Sequence, residues 1–267
     1  TSFSGATLTE AQLQTLVDAL TYRNSSDNPT TAGNRVVTIT SATDSGGTDN
    51  GGSNSTTQNL TSTVSVTGVN DAPTVSNVYT ETSQVVAGNG GQVLSGFADA
   101  TVANVDSTDY DTGFLTLAQT TGTYNGNWSV DGTTVTSGAD AAISAGETLQ
   151  ISGITIGTVD ATDDGQGGND LTINFVADST NAHVQTLIRN MQYSAPSALG
   201  DRDFTLTLND ADGTANGGVA DESGIFTISV TPNPPAIGNL DGNSTNATEN
   251  GGAVLFDVGS NASLTDA

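Results

Sequence analysis

The chain has 267 residues, and its four arginines oppose 29 acidic side chains, which gives a formal net charge of −25 at pH 7. This charge excludes nucleic acid as a partner and disfavours an anionic membrane surface, because phosphate groups are bound by basic residues. The absence of cysteine excludes a disulfide framework and a thiolate metal site. No stretch is long and apolar enough to insert into a membrane.

The first predicted element is a short helix within residues 11–22, AQLQTLVDALTY. Its apolar residues recur at helical spacing, and Thr9 stands where an N-cap would lie. Residues 182–193, AHVQTLIRNMQY, repeat this block, with Thr180 in the same position. Each block is followed by a Gly-x-Arg and an alternating strand. The repeat predicts two copies of one structural unit, each with a helical crossover and a tyrosine packed behind it.

The other predicted elements are strands, in which apolar and polar residues alternate with period two. Clusters of Gly, Asn and Asp separate them, as is typical of a β-sandwich. Low hydrophobicity with high charge is also a signature of disorder, but the regular apolar spacing excludes that alternative. The predicted strands are 36–40, 60–66, 114–117, 128–130, 149–151, 171–175, 204–208 and 225–230.

Proline marks the predicted domain boundaries, because it fixes φ and stiffens a linker. Pro73 ends the segment 69–73, which leaves one predicted strand and opens the next unit. Pro232, Pro234 and Pro235 lie in the segment 230–236, which stands in the same position relative to the following unit. The predicted domains are 1–70, the rear part of one sandwich; 71–233, a whole sandwich; and 234–267, the front part of a further one.

The segment Gly-Val-Asn-Asp-Ala-Pro-Thr at 68–74 resembles the linker of bacterial cadherin-like repeats, the tandem β-sandwiches of giant surface adhesins. The block of helix, tyrosine, Gly-x-Arg and strand resembles the later half of those repeats. The acidic loops at 106–111 and 209–213 match theirs, and 248–250, Thr-Glu-Asn, is similar to the start of cadherin domains. The resemblance implies an all-β fold of tandem cadherin-like or immunoglobulin-like sandwiches with short helical crossovers. The middle repeat is long for this family, which implies an insertion near 118–160.

Calcium is the predicted cofactor, because it binds six to eight hard oxygens from carboxylates, carbonyls and amides. Asp-x-Asp places two carboxylates close together on a loop, although Asp and Gly also populate ordinary turns. An EF-hand does not fit, since Leu171 stands where a bidentate Glu is needed. A calcium site is expected at the 69–73 junction. The candidate ligands are Asn70, Asp71, Glu81, Asp106, Asp109, Asp111, Asp210, Asp212 and, from the resemblance, Glu249.

Catalysis has little support in the sequence, and the chain is predicted not to be an enzyme. The lone His183 stands in the repeated helix where the other copy has Gln12, which favours a surface or packing role. No Gly-x-Ser-x-Gly elbow and no pair of histidines for zinc is present. Tyr124 and Trp128 could form a sugar-stacking platform, although ordinary strand packing is the simpler interpretation.

The sequence therefore predicts a structural extender of a bacterial extracellular adhesin or surface filament, located at the cell surface and rigidified by calcium. Its expected partners are neighbouring repeats of the same chain or of adjacent copies. One alternative is a carbohydrate-binding module that contacts glycans through 118–160. The repeats at 11–22 and 90–94, echoed at 182–193 and 251–255, are out of phase with the ends of the chain. We expect a segment of a longer polypeptide; the alternative is a subunit whose tail completes the head of the next copy in a filament.

Overall fold

The computed structural model of the protein describes residues 8–138, 140–244, 246–247, 253–257 and 261–265. The chain divides into two units, Thr1–Val69 and Asn70–Ala267. Strands predominate in both, so the all-β class predicted from the sequence is confirmed. Among the described residues, no helix has the length and apolar character needed to cross a membrane.

In the described residues of the first unit, 8–69, the structure has an α-helix and a β-hairpin, namely α1 (Glu10–Asp18), β1 (Arg35–Thr43) and β2 (Ser55–Val64). Thr9 caps α1, since its side chain accepts from the Gln12 N–H while the Gln12 side chain accepts from the Thr9 N–H. The predicted cap is therefore confirmed, but the helix ends at Asp18 rather than extending through residue 22. β1 and β2 pair antiparallel, from Arg35 opposite Val64 to Thr43 opposite Ser55.

The second unit contains fifteen of the strands and the second helix found in the described part of the chain. In chain order these elements are β3 (Thr74–Ser76), β4 (Thr82–Val86), β5 (Gln92–Val93), β6 (Thr101–Ala103), β7 (Phe114–Gln119), β8 (Asn127–Val130), β9 (Val135–Ser137), β10 (Thr148–Ile151), β11 (Ile154–Asp164), β12 (Leu171–Phe175), α2 (Asn181–Arg189), β13 (Met191–Ser194), β14 (Gly200–Asn209), β15 (Asp221–Thr231), β16 (Ala236–Gly238) and β17 (Ser263–Thr265).

Two main sheets organise this unit. The larger has eight strands in the order β4-β15-β14-β7-β12-β11-β10-β9, and the smaller has the order β5-β13-β8. All neighbours in the larger sheet are antiparallel except β4, which lies parallel to β15 with Thr82 opposite Thr227. Two further pairs, β3 with β6 and β16 with β17, are antiparallel. The segment 118–160 supplies β8, β9, β10 and part of β11 to the two main sheets.

The core of the second unit is built around a cluster of packed aromatic side chains. Phe204 of β14 and Phe226 of β15 are opposite in register, and their rings stack with centroids 5.4 Å apart. Trp128 of β8 packs edge-on against Phe204 at 5.3 Å and against Tyr193 at 5.0 Å. Phe97 packs edge-on against Phe226 at 4.8 Å. Stacked and edge-to-face pairs of this kind add to the free energy gained from area burial, so this cluster joins the two sheets.

Helix α2 covers the core with Val184, Leu187 and Ile188, which are fully buried. Its predicted N-cap is confirmed, because the Thr180 side chain accepts from the His183 N–H. Tyr193 is buried as predicted, and its hydroxyl accepts a 2.7 Å hydrogen bond from the buried guanidinium of Arg202. In α1, by contrast, no residue is buried, and Tyr22 is exposed.

The first unit repeats the rear part of the second in backbone conformation. The hairpin loops at 48–52 and 214–218 both contain an Asn-Gly-Gly sequence. Their asparagines lie in the left-handed region, Asn50 at φ 56° and Asn216 at φ 58°, which asparagine tolerates better than most residues. The two loops therefore form the same turn.

The hydrogen bonds that close these loops repeat as well. The Asp44 N–H donates to the Asn54 carbonyl at 2.8 Å, and the Asp210 N–H donates to the Ala220 carbonyl at 3.2 Å. Each aspartate also accepts from the backbone N–H two residues later. The Gly46 N–H donates to the Asp44 carboxylate, and the Asp212 N–H donates to the Asp210 carboxylate. The loop end of the β1–β2 hairpin thus repeats that of the β14–β15 hairpin, whereas further from the loop β1 and β2 have a register shift between Ile39 and Ser41 that β14 and β15 lack.

The C-terminal segment repeats the front of the second unit. β16 pairs with β17 as β3 pairs with β6. After β3, the Asn77 side chain donates to the Asp99 carbonyl at 3.2 Å, and after β16 the Asn239 side chain donates to the Asn261 carbonyl, also at 3.2 Å. Both asparagines have positive φ, 61° and 59°. In the described residues of this segment, β16, β17 and the turn after β16 therefore repeat β3, β6 and the turn after β3.

Neighbouring apolar residues of β15 predict very different mutational costs. Phe226 is 1% exposed, whereas Ile225 is 56% exposed. We expect Phe226→Ala to lower the free energy of unfolding of the second unit by about 3–5 kcal/mol, because it leaves a cavity in the core. Ile225→Ala, the matched control in the same strand, should change that free energy by no more than about 0.5 kcal/mol. Denaturant unfolding measures both, and equal effects would contradict this account of the core.

Candidate cation-binding site

Three segments meet at one end of the second unit: the residues before β3, the residues after β6 and the β14–β15 loop. Together they form a hydrogen-bonded group of acidic and amide residues, here called the Asp210 cluster, which consists of Asn70, Asp71, Asn104, Asp106, Asp210 and Asp212.

Asp210 is the centre of this cluster, and only 1% of its surface is exposed. Its Oδ1 accepts from the Asn70 side-chain amide at 3.0 Å, and its Oδ2 accepts from the Asn104 side-chain amide at 3.1 Å. The Asp212 N–H also donates to Oδ1, at 3.1 Å. The buried carboxylate is thus solvated by three N–H donors in place of water, as burial of a charge requires.

Asp106 is half-buried and brings a second carboxylate group to the cluster. Its Oδ2 accepts from the Asp71 N–H at 2.9 Å, which ties the residues before β3 to those after β6. Its Oδ1 is inaccessible to solvent and has no hydrogen-bond partner. Because buried acceptors are nearly always satisfied, an unpaired oxygen of this kind marks a position where a ligand could bind.

Asn70 is clamped against the β14–β15 loop by two further bonds. Its side-chain amide donates to the Val219 carbonyl at 2.8 Å, and its own carbonyl accepts from the Val219 N–H at 3.0 Å. Gly218 permits this approach, because a Cβ there would lie 3.0 Å from the Asn70 backbone nitrogen. The chain therefore enters the second unit in a fixed position over the cluster.

The electrostatics of the cluster disfavour its fully charged form. Burial raises the pKa of Asp210, and the Asp212 carboxylate adds to this, while hydrogen bonds from the Asp212 N–H and from Asn70 and Asn104 act in the opposite direction. Burial, together with the Asp210 carboxylate, also raises the pKa of Tyr110. A positive charge placed between these carboxylates would stabilise their ionised forms.

Of the predicted ligands, Asn70, Asp106 and Asp210 bring side chains to the cluster, whereas Asp71 and Asp212 join it through their backbone N–H groups. Asp109 and Asp111 are in a neighbouring turn, where the Asp109 carboxylate accepts from the Asp111 N–H at 3.1 Å. Glu81 is exposed before β4 and lies beside Gly96. Glu249 lies outside the described residues.

Asn104 was missed by the sequence analysis, although it precedes Asp106 in an Asn-x-Asp pattern similar to the Asp-x-Asp pairs. It matters because, within the described ranges, no three His, Cys, Asp or Glu side chains are arranged to hold a metal by themselves. A cation in the cluster therefore needs amide oxygens as well as carboxylates.

The donor set fits a hard cation. In the present arrangement Asn70 and Asn104 turn their NH₂ groups toward Asp210. A half-turn of each carboxamide presents its oxygen instead, because the two ends of the group are nearly the same size. Carboxylate and amide oxygens, with the unpaired Oδ1 of Asp106, are the ligands that calcium prefers.

The proposed sugar platform is not formed. Trp128, the residue expected to stack on a sugar, is 1% exposed and belongs to the aromatic core. Tyr124 is exposed, and its hydroxyl donates to the Gln119 carbonyl at 3.1 Å. The sequence pattern was consistent both with sugar stacking and with ordinary strand packing. Because Trp128 packs between the two sheets, it cannot stack on a sugar.

The chain was compared with protein-family models and with curated proteins, and neither comparison gave a match.

The raised pKa of Asp210 predicts how an isosteric variant responds to pH. An aspartate with a raised folded pKa stabilises the fold fully below its unfolded pKa, near 3.8, and loses that contribution as pH rises through the folded value. In calcium-free buffer, Asp210→Asn should therefore match the parent protein near pH 3.5 and exceed it in melting temperature at pH 7. A stability difference that stays constant across this pH range would contradict the assignment.

Proposed function

We propose that the chain is a structural extender segment of a bacterial extracellular adhesin or surface filament, and that calcium at the Asp210 cluster rigidifies it. The observation that carries the proposal is the repetition of the fold. The capped helix and the hairpin loop of the first unit repeat those of the second, and the pair β16–β17 repeats the pair β3–β6. Tandem copies of one sandwich supply length, which is the property that an extender needs.

Calcium is supported by the chemistry of the cluster. Asp210 is buried, Asp106 leaves one carboxylate oxygen unpaired, and both lie beside the segment by which the chain enters the unit. A bound cation would join Asn70, Asn104 and the β14–β15 loop through one centre, and so would stiffen the entry to the repeat. The net charge of −25 is a second reason, since bound cations reduce the self-repulsion of the chain.

A calcium titration tests this proposal. At a free calcium concentration 100 times the dissociation constant, binding to the folded state stabilises it by about 2.7 kcal/mol, which corresponds to a rise in melting temperature of roughly 5–10 °C for a unit of this size. A chelator should reverse the rise, and magnesium at the same ionic strength should give a smaller one, because it tolerates a less regular set of ligands poorly.

Two isosteric variants make the titration specific. Asp210→Asn removes the central carboxylate and should abolish the calcium-induced rise. Asp201→Asn is the matched control, because Asp201 is an exposed residue of β14 whose carboxylate accepts from Ser229 at 2.7 Å, outside the cluster. Asp201→Asn should retain the full response. Identical melting curves with calcium and with chelator, or equal losses in both variants, would remove calcium from the proposal.

The proposed location is tested separately. Antibodies against residues 70–231 should label intact cells of the source bacterium, and mild protease treatment of those cells should remove the label. A cytoplasmic protein serves as the control for cell integrity. Labelling that requires permeabilised cells would contradict a surface location while leaving the calcium site unaffected.

A further inference from the structure

The arginine side chains of this protein bind neutral acceptors. The guanidinium of Arg202, which is 1% exposed, donates to the Tyr193 hydroxyl at 2.7 Å and to two backbone carbonyls. Arg189 donates through Nε to the Ala100 carbonyl at 2.8 Å, and Arg35 donates to two carbonyls of residues that precede it. In the described ranges, none of the four arginines forms an ion pair with an acidic side chain.

Neutral donors hold the carboxylates as well. Asp131 accepts from the Thr134 and Val135 N–H groups at 2.8 and 2.7 Å, and Asp160 accepts from the Thr162 N–H and hydroxyl, both at 2.9 Å. Burial acts to raise the pKa of Asp131, but its hydrogen bonds outweigh burial and lower the pKa to about 2. Hydrogen bonds, first that from the Thr162 N–H, lower the pKa of Asp160 to about 2 as well. These bonds keep the carboxylates ionised and leave their charge uncompensated.

The β14–β15 pair shows the same arrangement at cross-strand positions. Asp201 and Asp203 lie two residues apart on the solvent side of β14, so their Cα atoms are about 7 Å apart. Ser229 and Thr227 stand opposite them in β15, and each hydroxyl donates to the aspartate that faces it, at 2.7 and 2.8 Å. A basic residue at either position would form a cross-strand ion pair, which is a common stabilising contact in sheets. The two carboxylates therefore face hydroxyl groups and repel each other across a short distance.

We infer that the folded second unit requires a saline medium, in which monovalent cations collect at its acidic surface and screen the repulsion between carboxylates. In a protein with many ion pairs, salt weakens attractions and repulsions together. Here the described residues have no arginine ion pair to weaken, so screening acts in one direction and stabilises the compact state against self-repulsion. These cations form a mobile layer at the exposed carboxylates, distinct from a cation bound at the Asp210 cluster.

Thermal unfolding of the full chain in NaCl tests this inference, with a calcium chelator in every sample. Trp128, the only tryptophan of the chain, is buried in the second unit, so its fluorescence follows the unfolding of that unit. Between about 0.01 and 1 M salt the Debye length falls from about 30 to 3 Å, and we expect the melting temperature to rise by on the order of 10 °C. About half of this rise should be complete at about 0.1 M, where the Debye length is already about 10 Å.

Two further results of this experiment support the inference. Choline chloride should act as NaCl does, because screening depends on the charge and concentration of the ions. A second unit that is unfolded at the lowest salt concentration and folds as salt is added gives the same support.

Two sets of substitutions separate charge from side-chain shape. Asp99, Asp163 and Asp178 are exposed residues of the second unit outside the Asp210 cluster. The combined variant Asp99→Asn, Asp163→Asn and Asp178→Asn removes three negative charges, so it should melt about 2–4 °C above the parent protein at about 0.01 M salt and converge with it at about 1 M. The matched variant with Glu at the same three positions keeps the charges and should follow the parent protein at every salt concentration.

A melting temperature that stays constant or falls as salt is added would overturn the inference. A rise in simple proportion to salt concentration would overturn it too, because exclusion of salt from the protein surface, and not screening, gives that dependence. Equal salt responses in the Asn and Glu variants would show that the surface charge has no part in the effect, with the same consequence. Because calcium is chelated throughout, none of these outcomes depends on calcium at the Asp210 cluster.

Discussion

The second unit depends on one requirement, that the apolar face of the β14–β15 hairpin be removed from water. Phe204 and Phe226 lie opposite each other on that face, and the elements that cover it come from distant parts of the sequence: Phe97 from the front, Trp128 from the middle and Tyr193 from behind the helix. A hairpin alone has only marginal stability in water. Its partners therefore determine the fold as much as its own strands do. In the first unit, where the described residues supply no such cover, Val37 and Leu60 of the β1–β2 hairpin are exposed.

The Asp210 cluster shares this dependence on the hairpin. Asp210 begins the loop that joins β14 to β15, and its N–H is held by the Ala220 carbonyl, so the carboxylate is fixed before any ligand arrives. The segments that bring Asn70 and Asn104 to it are positioned by β3 and β6, which belong to the front of the unit. The same front strands that help to cover the core therefore also bring the residues of the Asp210 cluster together.

Local signals in the sequence were sufficient for the two helices and for the longer strands. Apolar spacing and the caps Thr9 and Thr180 located both helices, and period-two alternation located β7, β12, β14 and β15. Pairing was not predictable, because the parallel contact of β4 with β15 joins residues that are far apart in the chain and leaves no local pattern. Short strands such as β5 and β9 were missed because two or three residues are too few to show an alternating pattern. Asp210 and Asp212 were found from their Asp-x-Asp spacing, and Asp71 and Asp106 from the resemblance of the linker and loop, whereas Asn104 acquires its role only from the fold.

The parallel pairing of β4 with β15 also has a mechanical consequence. β4 is close to the point where the chain enters the second unit, and β15 ends where the segment toward β16 begins. Tension applied along the chain would pull the start of β4 and the end of β15 in opposite directions along their common axis. Because the strands are parallel, the bonds between Thr82–Val86 and Thr227–Thr231 would then be loaded in shear and share the force, rather than open one after another. A unit joined in this way resists extension along the chain more strongly than force applied across the strands.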